Sequence, residues 1–342
     1  MKDNNLQNSI EEIKKIKMTA LEKKRVFEYV VNSKISSSQE SIRSPWFNYS
    51  FIARIKKTRL AYYVVVPLII ILASGGIAFA SEDSLPNSIL YPIKVSIVEP
   101  IRGALTFSPK AKAVYESNLA TKRMVEAETL AGEGKLNQPI ENRLNNLLER
   151  HTASLNNALN KVDKIESTTG SIGQSEDLIT NFHANMNAHA QVLDILSGKK
   201  EYDQNGQYND IQISKTARDN ADLITNISKN DEIKTENKIQ NKLDNYKRRK
   251  EAIQSLIDKT TTELDRASAK PSASSQEIIE STNQTLNRAK QFLYDANEHE
   301  NKGDQAGAYS TLLDSESSVK EAGIFLQTGL KFGGKFKGKW ND

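Results

Sequence analysis

Apolar residues recur at spacings of three and four over most of the chain beyond residue 109, as in amphipathic helices that pack side by side. Short polar stretches with glycine, proline or a capping side chain separate the apolar stripes. The most regular stripes cover residues 140–162, 179–196, 239–267, 278–296 and 312–326. The pattern predicts an all-α fold of helical hairpins or a bundle, with packing of the coiled-coil type.

The interruptions of this pattern indicate boundaries. Ser108 and Pro109 offer an N-cap and a proline at the first helical position, and Gly132 and Gly134 are suited to end the same helix. A polar stretch around Asn205-Gly206 has turn chemistry. We therefore predict a first helical domain over 84–198, a linker over 199–213, a second helical region over 214–328 and a tail over 329–342.

One segment departs from the amphipathic pattern, because residues 60–80 contain no charged side chain. At about 1.5 Å per residue, a helix of this length just crosses a hydrocarbon core of about 30 Å. Pro67 lies inside the run, and membrane helices tolerate a single proline. The run therefore predicts a single transmembrane helix.

Charge gives this span a direction. Residues 1–59 hold 13 Lys and Arg against 6 Asp and Glu, whereas the rest of the chain holds 34 against 37. By the positive-inside rule, residues 1–59 form a cytoplasmic arm, and the helical part lies outside the cytoplasm at the cell membrane. The overall charge of +4 averages two unlike halves and does not indicate nucleic-acid binding. The side chains expected at the membrane interface are Arg54, Lys56, Lys57, Arg59 and Trp46.

Two other interpretations of this segment stay open. Ala78-Phe79-Ala80 fits the small-x-small pattern of signal-peptide cleavage, although signal peptides lie within about the first 15–30 residues and this run begins at residue 60. A buried core helix is the second alternative. The length of the run and the cations before it argue against a core helix.

The composition excludes several classes of chemistry. There is no cysteine, so disulfides, thiol catalysis and Cys-ligated zinc are excluded. No HExxH, GxSxG or CxxC motif occurs. Of four histidines, His151 and His189 lie on apolar stripes, where they could face each other across a helix pair. Interior histidines of this kind are commoner than metal ligands, so we expect no enzyme, no cofactor and no metal site.

Three segments resemble a known bacterial family. SLPNSILYPIK (84–94), IRGALTFSPKAK (101–112) and LATKRMVEAETLAGEGK (119–135) are similar to the domain of unknown function numbered 5667. That family shows a Leu-Pro-Gly-Asp-x-Leu-Tyr-Pro-Val-Lys-like segment after a transmembrane helix, and here Asn87-Ser88 replaces the Gly-Asp. The matching positions are Leu85, Pro86, Leu90, Tyr91, Pro92, Lys94, Leu105, Thr106, Phe107, Pro109, Arg123 and Glu126.

The resemblance implies an extracytoplasmic helical module next to a membrane span, and it brings no catalytic residues with it. Some family members follow cytoplasmic regions similar to those of anti-sigma factors, and residues 10–30 look like such an arm. We interpret 84–94 as a packing motif, with a ligand groove near the membrane as the alternative. Arg123 and Glu126 are spaced to pair on one helix face.

The tail GLKFGGKFKGKWND alternates lysines with Phe332, Phe336 and Trp340. It contains the GxxxxGK pattern, but Phe336 follows the lysine, and too few residues remain for the helix that would hold a phosphate. The cations and rings would suit an anionic lipid or envelope polymer, and a frayed terminus is the alternative.

These features predict a non-enzymatic single-pass membrane protein with an extracytoplasmic interaction domain. Its expected partners are the lipid bilayer, an unidentified protein, and an anionic envelope polymer at the tail. In one version of this prediction, the protein partner is a sigma factor on the cytoplasmic side. No nucleic acid is expected. The alternative is a structural scaffold of the cell envelope, in which the N-terminal arm serves only as an anchor.

Overall fold

A computed structural model describes residues 81–169, 173–196, 212–232, 239–269, 271 and 275–333. The predicted cytoplasmic arm, the uncharged run and most of the tail lie outside these residues, as do Arg54, Lys56, Lys57, Arg59 and Trp46. Within the described ranges, no helix is both long enough and apolar enough to span a membrane.

Eight helices account for nearly all of the described residues, which confirms the all-α prediction. α1 is continuous and consists of three segments, Tyr91–Ile93, a π-helical Lys94–Val98 and Glu99–Ala104. The others are α2 Pro109–Gly132, α3 Gln138–Thr169, α4 Gln174–Leu196, α5 Gln212–Glu232, α6 Ile239–Ser268, α7 Gln276–Asn301 and α8 Gln305–Gly333.

Both ends of α2 follow local sequence signals. Ser108 Oγ accepts a hydrogen bond of 3.1 Å from a first-turn N–H group, and Pro109 occupies the first turn. At the other end Gly134 has a φ of +67°, and the N–H of Lys135 bonds back to the carbonyl of Leu130 at 2.7 Å. Such a reversal needs a residue that adopts positive φ without strain, which glycine does.

The described residues fall into two compact units. The first contains residues 81–84 and 88–105, and therefore α1. The second contains residues 85–87 and the described residues from 106 onwards, and therefore α2 to α8. In the second unit Asn87 has a φ of +81°, a conformation that asparagine tolerates better than most residues. The exchange of the family's glycine for Asn87 thus keeps a left-handed turn.

The second unit has two hydrophobic clusters that share one helix. α2, α3, α4 and α5 bury the first cluster, which includes Leu144, Phe182 and Met186. α6, α7, α8 and the second half of α4 bury the second cluster, which includes Leu312 and Phe325. Since α4 contributes apolar side chains to both clusters, this helix is buried on most of its sides. α4 packs directly against α8, so helices from 84–198 and from 214–328 belong to one compact unit.

Candidate functional site

Helices α4, α5, α7 and α8 enclose a cleft of about 380 Å³ in the second unit. This volume lies in the range of small-molecule sites, which is about 300–1,000 Å³. The walls combine charged, hydroxyl and amide groups with a few apolar side chains. The lining residues on which the site depends are Glu176, His183, Asp222, Arg288, Ser317 and Glu321.

Helix periodicity explains why many polar groups line the same cleft. On α4 and α8, lining residues that are three or four positions apart lie on one face of each helix. These residues are Glu176, Thr180, His183 and Asn187 on α4, and Ser310, Asp314, Ser317 and Glu321 on α8. Other faces of both helices carry the apolar residues of the clusters, which leaves the polar faces to line the cleft.

His183 connects three helices across the cleft. Its Nδ1 lies 2.8 Å from Ser317 Oγ on α8, and its Nε2 lies 3.6 Å from Asp222 Oδ1 on α5. Asn187 Nδ2, one turn further along α4, is 3.3 Å from the ring nitrogens. The imidazole is therefore held in place by polar contacts on several sides.

The cleft carries more negative than positive formal charge. Glu176, Asp222, Asp314 and Glu321 line it together with the guanidinium of Arg288. Arg288 Nη2 lies 3.2 Å from Glu321 Oε1. Because the Arg288 side chain is half exposed, solvent screens this pair and its contribution to stability is small.

An ionic network fixes the end of the cleft at Glu176. Tyr309 donates a short hydrogen bond to Glu176, and Arg249 Nη2 lies 3.9 Å from the same carboxylate. Arg249, which comes from α6, also donates to Asp177 at 2.6 Å and to Glu316. Burial alone would lower the pKa of Arg249, but the carboxylates of Glu316 and Asp177 raise it above its usual range. A permanently charged guanidinium thus joins α4, α6 and α8.

Ser317, His183 and Asp222 stand in the order of nucleophile, base and orienting carboxylate that serine hydrolases use. Ser317 lies in the middle of α8, however, where the backbone N–H groups around it bond within the helix. Acyl transfer needs donors that are free to bind an oxyanion, and the backbone N–H groups next to Ser317 are not free to do so. In the part of the chain that the structure describes, no three His, Asp or Glu side chains form a metal site.

The family-motif residues do not line this cleft. Tyr91 and Lys94 belong to the first unit and are buried. Lys94 Nζ donates to the carbonyl of Ser84 at 2.9 Å and lies 5.4 Å from the centre of the Tyr91 ring. The lysine is therefore held by a carbonyl dipole and an aromatic face, which compensates in part for its burial.

The other motif residues differ in exposure. Leu85 packs against the first cluster and Pro86 is buried. Phe107, which lies outside the 84–94 segment, is 81% exposed. Three motif residues mark helix starts, since Leu90 and Pro92 stand at the beginning of α1 and Pro109 opens α2.

The pair expected on α2 is present and buried. Arg123 Nη1 lies 3.4 Å from Glu126 Oε2, and both side chains are almost completely inaccessible to solvent. On a helix surface such a pair would contribute only about 0.2–0.5 kcal/mol. In the interior, each charge depends on its partner, because an isolated buried ion is strongly unfavourable.

The interior histidines pair with glutamates of α2 rather than with each other. His151 Nδ1 lies 2.8 Å from Glu116 Oε2, and His189 Nδ1 lies 2.7 Å from Glu128 Oε1. The two glutamates are twelve residues apart, which is about 18 Å along α2. The suggestion that His151 and His189 face each other is therefore wrong.

These two glutamates have pKa values shifted in opposite directions. Burial raises the pKa of Glu116, but hydrogen bonds from His151 and Lys112 outweigh burial and lower it below 4.5. Glu128 is more deeply buried, and burial raises its pKa above 4.5 despite the bond to His189. Titration of these two glutamates therefore changes the free energy of unfolding with pH in opposite directions, although both lie on one helix.

Replacement of each glutamate by glutamine is expected to reveal these signs. A lowered pKa contributes stability above pH 4.5 that is lost as the pH falls through the folded-state value. A raised pKa contributes stability below pH 4.5 that is lost as the pH rises through the folded-state value. Relative to the parent chain, Glu116→Gln should therefore lose stability on going from acid to neutral pH, and Glu128→Gln should gain it. Urea titrations of the full chain across this range measure both, and parallel profiles would contradict the assignment.

Sequence reasoning missed both the cleft and the buried glutamates. Glutamate and aspartate on a helix usually mark a solvated face, so their residue types carried no signal of burial. A weak signal existed on α4, where His183 and Asn187 interrupt a series of buried residues that includes Phe182, Ala184 and Met186. Such an interruption on a buried helix indicates either a satisfied interior contact or a polar cavity.

Comparison with known families agrees with the sequence resemblance. The family described as "Domain of unknown function (DUF5667)" matches residues 83–310, two thirds of the chain. The match covers α1 to α7 and the start of α8, including residues 200–310, where no resemblance was evident from the motifs. No curated protein and no solved structure matches the chain.

Proposed function

The chain belongs to the DUF5667 family, and we propose that it is a single-pass membrane protein whose extracytoplasmic helical domain binds a small ligand. The observation that carries this proposal is the cleft of α4, α5, α7 and α8. Two hydrophobic clusters and the Arg249 network hold its walls in place. A frame that is rigid before binding reduces the entropy cost of binding.

The lining favours a ligand with an ammonium group. Carboxylates outnumber guanidinium groups among the lining residues, and the side chain of Asp222 is 69% exposed. Phe292 adds an aromatic ring to the wall, and a ring face attracts a cation. Hydroxyl and amide groups such as Thr180 and Asn187 can bond the polar remainder of the ligand.

Asp222→Asn is expected to weaken the binding of a primary ammonium compound about tenfold, because a hydrogen bond to a charged group contributes about 1.5 kcal/mol or more. Isothermal titration calorimetry of the full-length protein in detergent, with a series of mono- and diamines, measures this loss. A matched series of carboxylates reports charge selectivity.

Asp219→Asn is the matched control for this variant. Asp219 lies one turn before Asp222 on α5, is exposed and does not line the cleft, and its replacement removes the same charge. It should leave the affinity unchanged. Equal weakening by both variants would assign the effect to the overall charge of the domain, and failure of every amine to bind the parent chain would contradict the ligand class.

For the N-terminal arm, we propose that residues 1–59 pass the state of the outer domain to a cytoplasmic protein, as an anti-sigma factor does. The arm's excess of cations and the similarity of residues 10–30 to such arms support this proposal. In-cell crosslinking of the full chain, and of a variant that lacks residues 1–45, tests it. If the full chain captures a sigma factor or another cytoplasmic protein and the shortened variant does not, signalling is supported. If both chains capture the same proteins equally, the scaffold role is favoured.

The proposed topology has its own test. Reporter fusions at residues 40 and 210 should report the cytoplasm and the outside, respectively. A cytoplasmic signal at residue 210 would overturn the membrane assignment. For the tail, removal of residues 334–342, which follow α8 and leave the buried Phe332 in place, should reduce retention on anionic lipid or envelope polymer, because it removes Lys335, Lys337 and Lys339.

A further inference from the structure

We propose that α1 lies in the interface of the lipid bilayer and directs a row of five aliphatic side chains towards the lipid. The row, called the α1 ridge, has a spacing of four residues and consists of Ile93, Ile97 and Ile101 on α1, Ile89 in the turn before the helix and Leu105 directly after it. The inference concerns the first unit alone and rests on the proposed membrane anchor.

The ridge is apolar, yet much of it is open to solvent. Ile89 is 92% exposed, Ile101 37% and Leu105 43%, and the two isoleucines between Ile89 and Ile101 are half-buried. Single exposed apolar residues are normal on protein surfaces. A continuous row of five without a charged member is not, and such rows mark surfaces that contact a partner or a membrane.

The opposite side of α1 is already buried, so a rotation of the helix cannot bury the ridge without exposing that side. Tyr91, Val95 and Val98 are buried there, and Gly103 continues the same side towards the end of the helix. A rotation of α1 that covered the ridge would expose these residues. The ridge therefore needs a cover from outside the helix.

The π-helical segment keeps the ridge on one side. In an α-helix of 3.6 residues per turn, a row with four-residue spacing drifts around the axis. In Lys94–Val98 the bonds run from residue i to residue i+5, as the N–H of Glu99 shows by donating to the carbonyl of Lys94. A turn of this kind holds more residues, so the drift is reduced in the middle of the ridge.

Two contacts connect α1 to Glu82 and Ser84, which follow the predicted span in the chain. Arg102 Nη1 lies 2.6 Å from Glu82 Oε2, and Lys94 Nζ donates to the carbonyl of Ser84 at 2.9 Å. The span is predicted to end at residue 80, and two residues of extended chain cover at most about 7 Å. Arg102, and Ile101 beside it, are therefore close to the point where the chain leaves the bilayer.

A bilayer interface matches this combination of features. Interfacial helices place aliphatic side chains at the boundary of the acyl chains and keep charged groups at the headgroups. The Arg102–Glu82 pair has both side chains partly exposed at one end of the ridge, where headgroups would be. A second copy of the chain could also cover the ridge, and the experiment separates the two.

The absence of native cysteine makes site-specific labelling straightforward. Spin labels are attached to single-cysteine variants of the full chain at Ile89, Ile101 and Leu105, in nanodiscs of phosphatidylcholine and phosphatidylglycerol. Ser96 is the matched site on the same helix, since it is exposed and outside the ridge. A label at Ile70 reports the predicted span. We expect ridge labels to be more accessible to oxygen than to a water-soluble nickel complex, and the Ser96 label to show the reverse.

The outcomes test the contact of the ridge with lipid separately from the proposed membrane anchor. A lipid signal at Ile70 with aqueous signals at all ridge sites overturns the ridge and leaves the anchor in place. Aqueous signals at both overturn both proposals. Spin–spin broadening at the ridge that disappears on dilution with unlabelled protein would identify a second copy as the cover, and would also overturn contact with lipid.

Discussion

Replacement of Arg123 by methionine is expected to reduce the free energy of unfolding by about 3–5 kcal/mol, because it removes one partner of a buried ion pair. Arg123 is completely inaccessible to solvent, and Glu126 lies 3.4 Å away and is almost as deeply buried. Without the guanidinium, Glu126 loses the opposite charge at 3.4 Å in the interior, where an ionised carboxylate is costly. Urea titration of the full chain at neutral pH, followed by circular dichroism, measures the loss.

Two further variants separate the charge effect from the effect of shape. The double variant Arg123→Met, Glu126→Leu removes both charges and should recover much of the stability, since apolar replacement of a whole buried pair is often neutral. Lys110→Met removes an exposed cation of the same helix and should change stability by less than about 0.5 kcal/mol. A double variant as unstable as Arg123→Met would show that the lost interaction was packing by the long side chain.

Phe182→Ala is expected to cost about 3–5 kcal/mol, because a fully buried ring is replaced by a cavity. Phe182 lies on α4 in the first hydrophobic cluster, and the same helix supplies Val192 and Leu196 to the second. We therefore expect the loss to reach both clusters as one cooperative unit. Hydrogen exchange of the full chain should show lower protection in α7 and α8 as well as in α2 and α3.

Phe325→Ala is the reciprocal variant, since Phe325 is buried in the second cluster. It should lower the protection of α2 and α3 by the same reasoning. If each variant reduced the protection of its own cluster only, the second unit would unfold in two parts. The predicted regions 84–198 and 214–328 would then behave as separate domains despite the contact between α4 and α8.

The helices of this fold were largely predictable from the sequence. Apolar spacing located α3, α4, α6, α7 and α8, because the side chains that face a core must recur with the helical period. Ser108, Pro109 and Gly134 marked the ends of α2, because caps depend on a few neighbouring residues. The π-helical Lys94–Val98 carried no such signal, since its hydrogen-bond pattern differs from that of an α-helix by one residue.

The candidate site was not predictable in the same way. His183, Asp222 and Ser317 come from three helices, and 95 residues separate Ser317 from Asp222 along the chain. No local pattern requires them to meet. The partners of His151 and His189 were unpredictable for the same reason, because helix spacing indicates that a residue faces inward without indicating which helix it faces.

By itself, the sequence determined the helical class, the ends of α2, the family resemblance of residues 84–135 and the spacing of the Arg123–Glu126 pair, all of which depend on residues that are near one another in the chain. The tertiary structure alone decided that α4 belongs to two clusters, that a cleft opens between α4, α5, α7 and α8, and which glutamates are buried beside histidines. The reason is physical. Local periodicity specifies how much of a helix faces inward, whereas the choice of neighbouring helix depends on the complementary shapes and charges of surfaces distant in sequence.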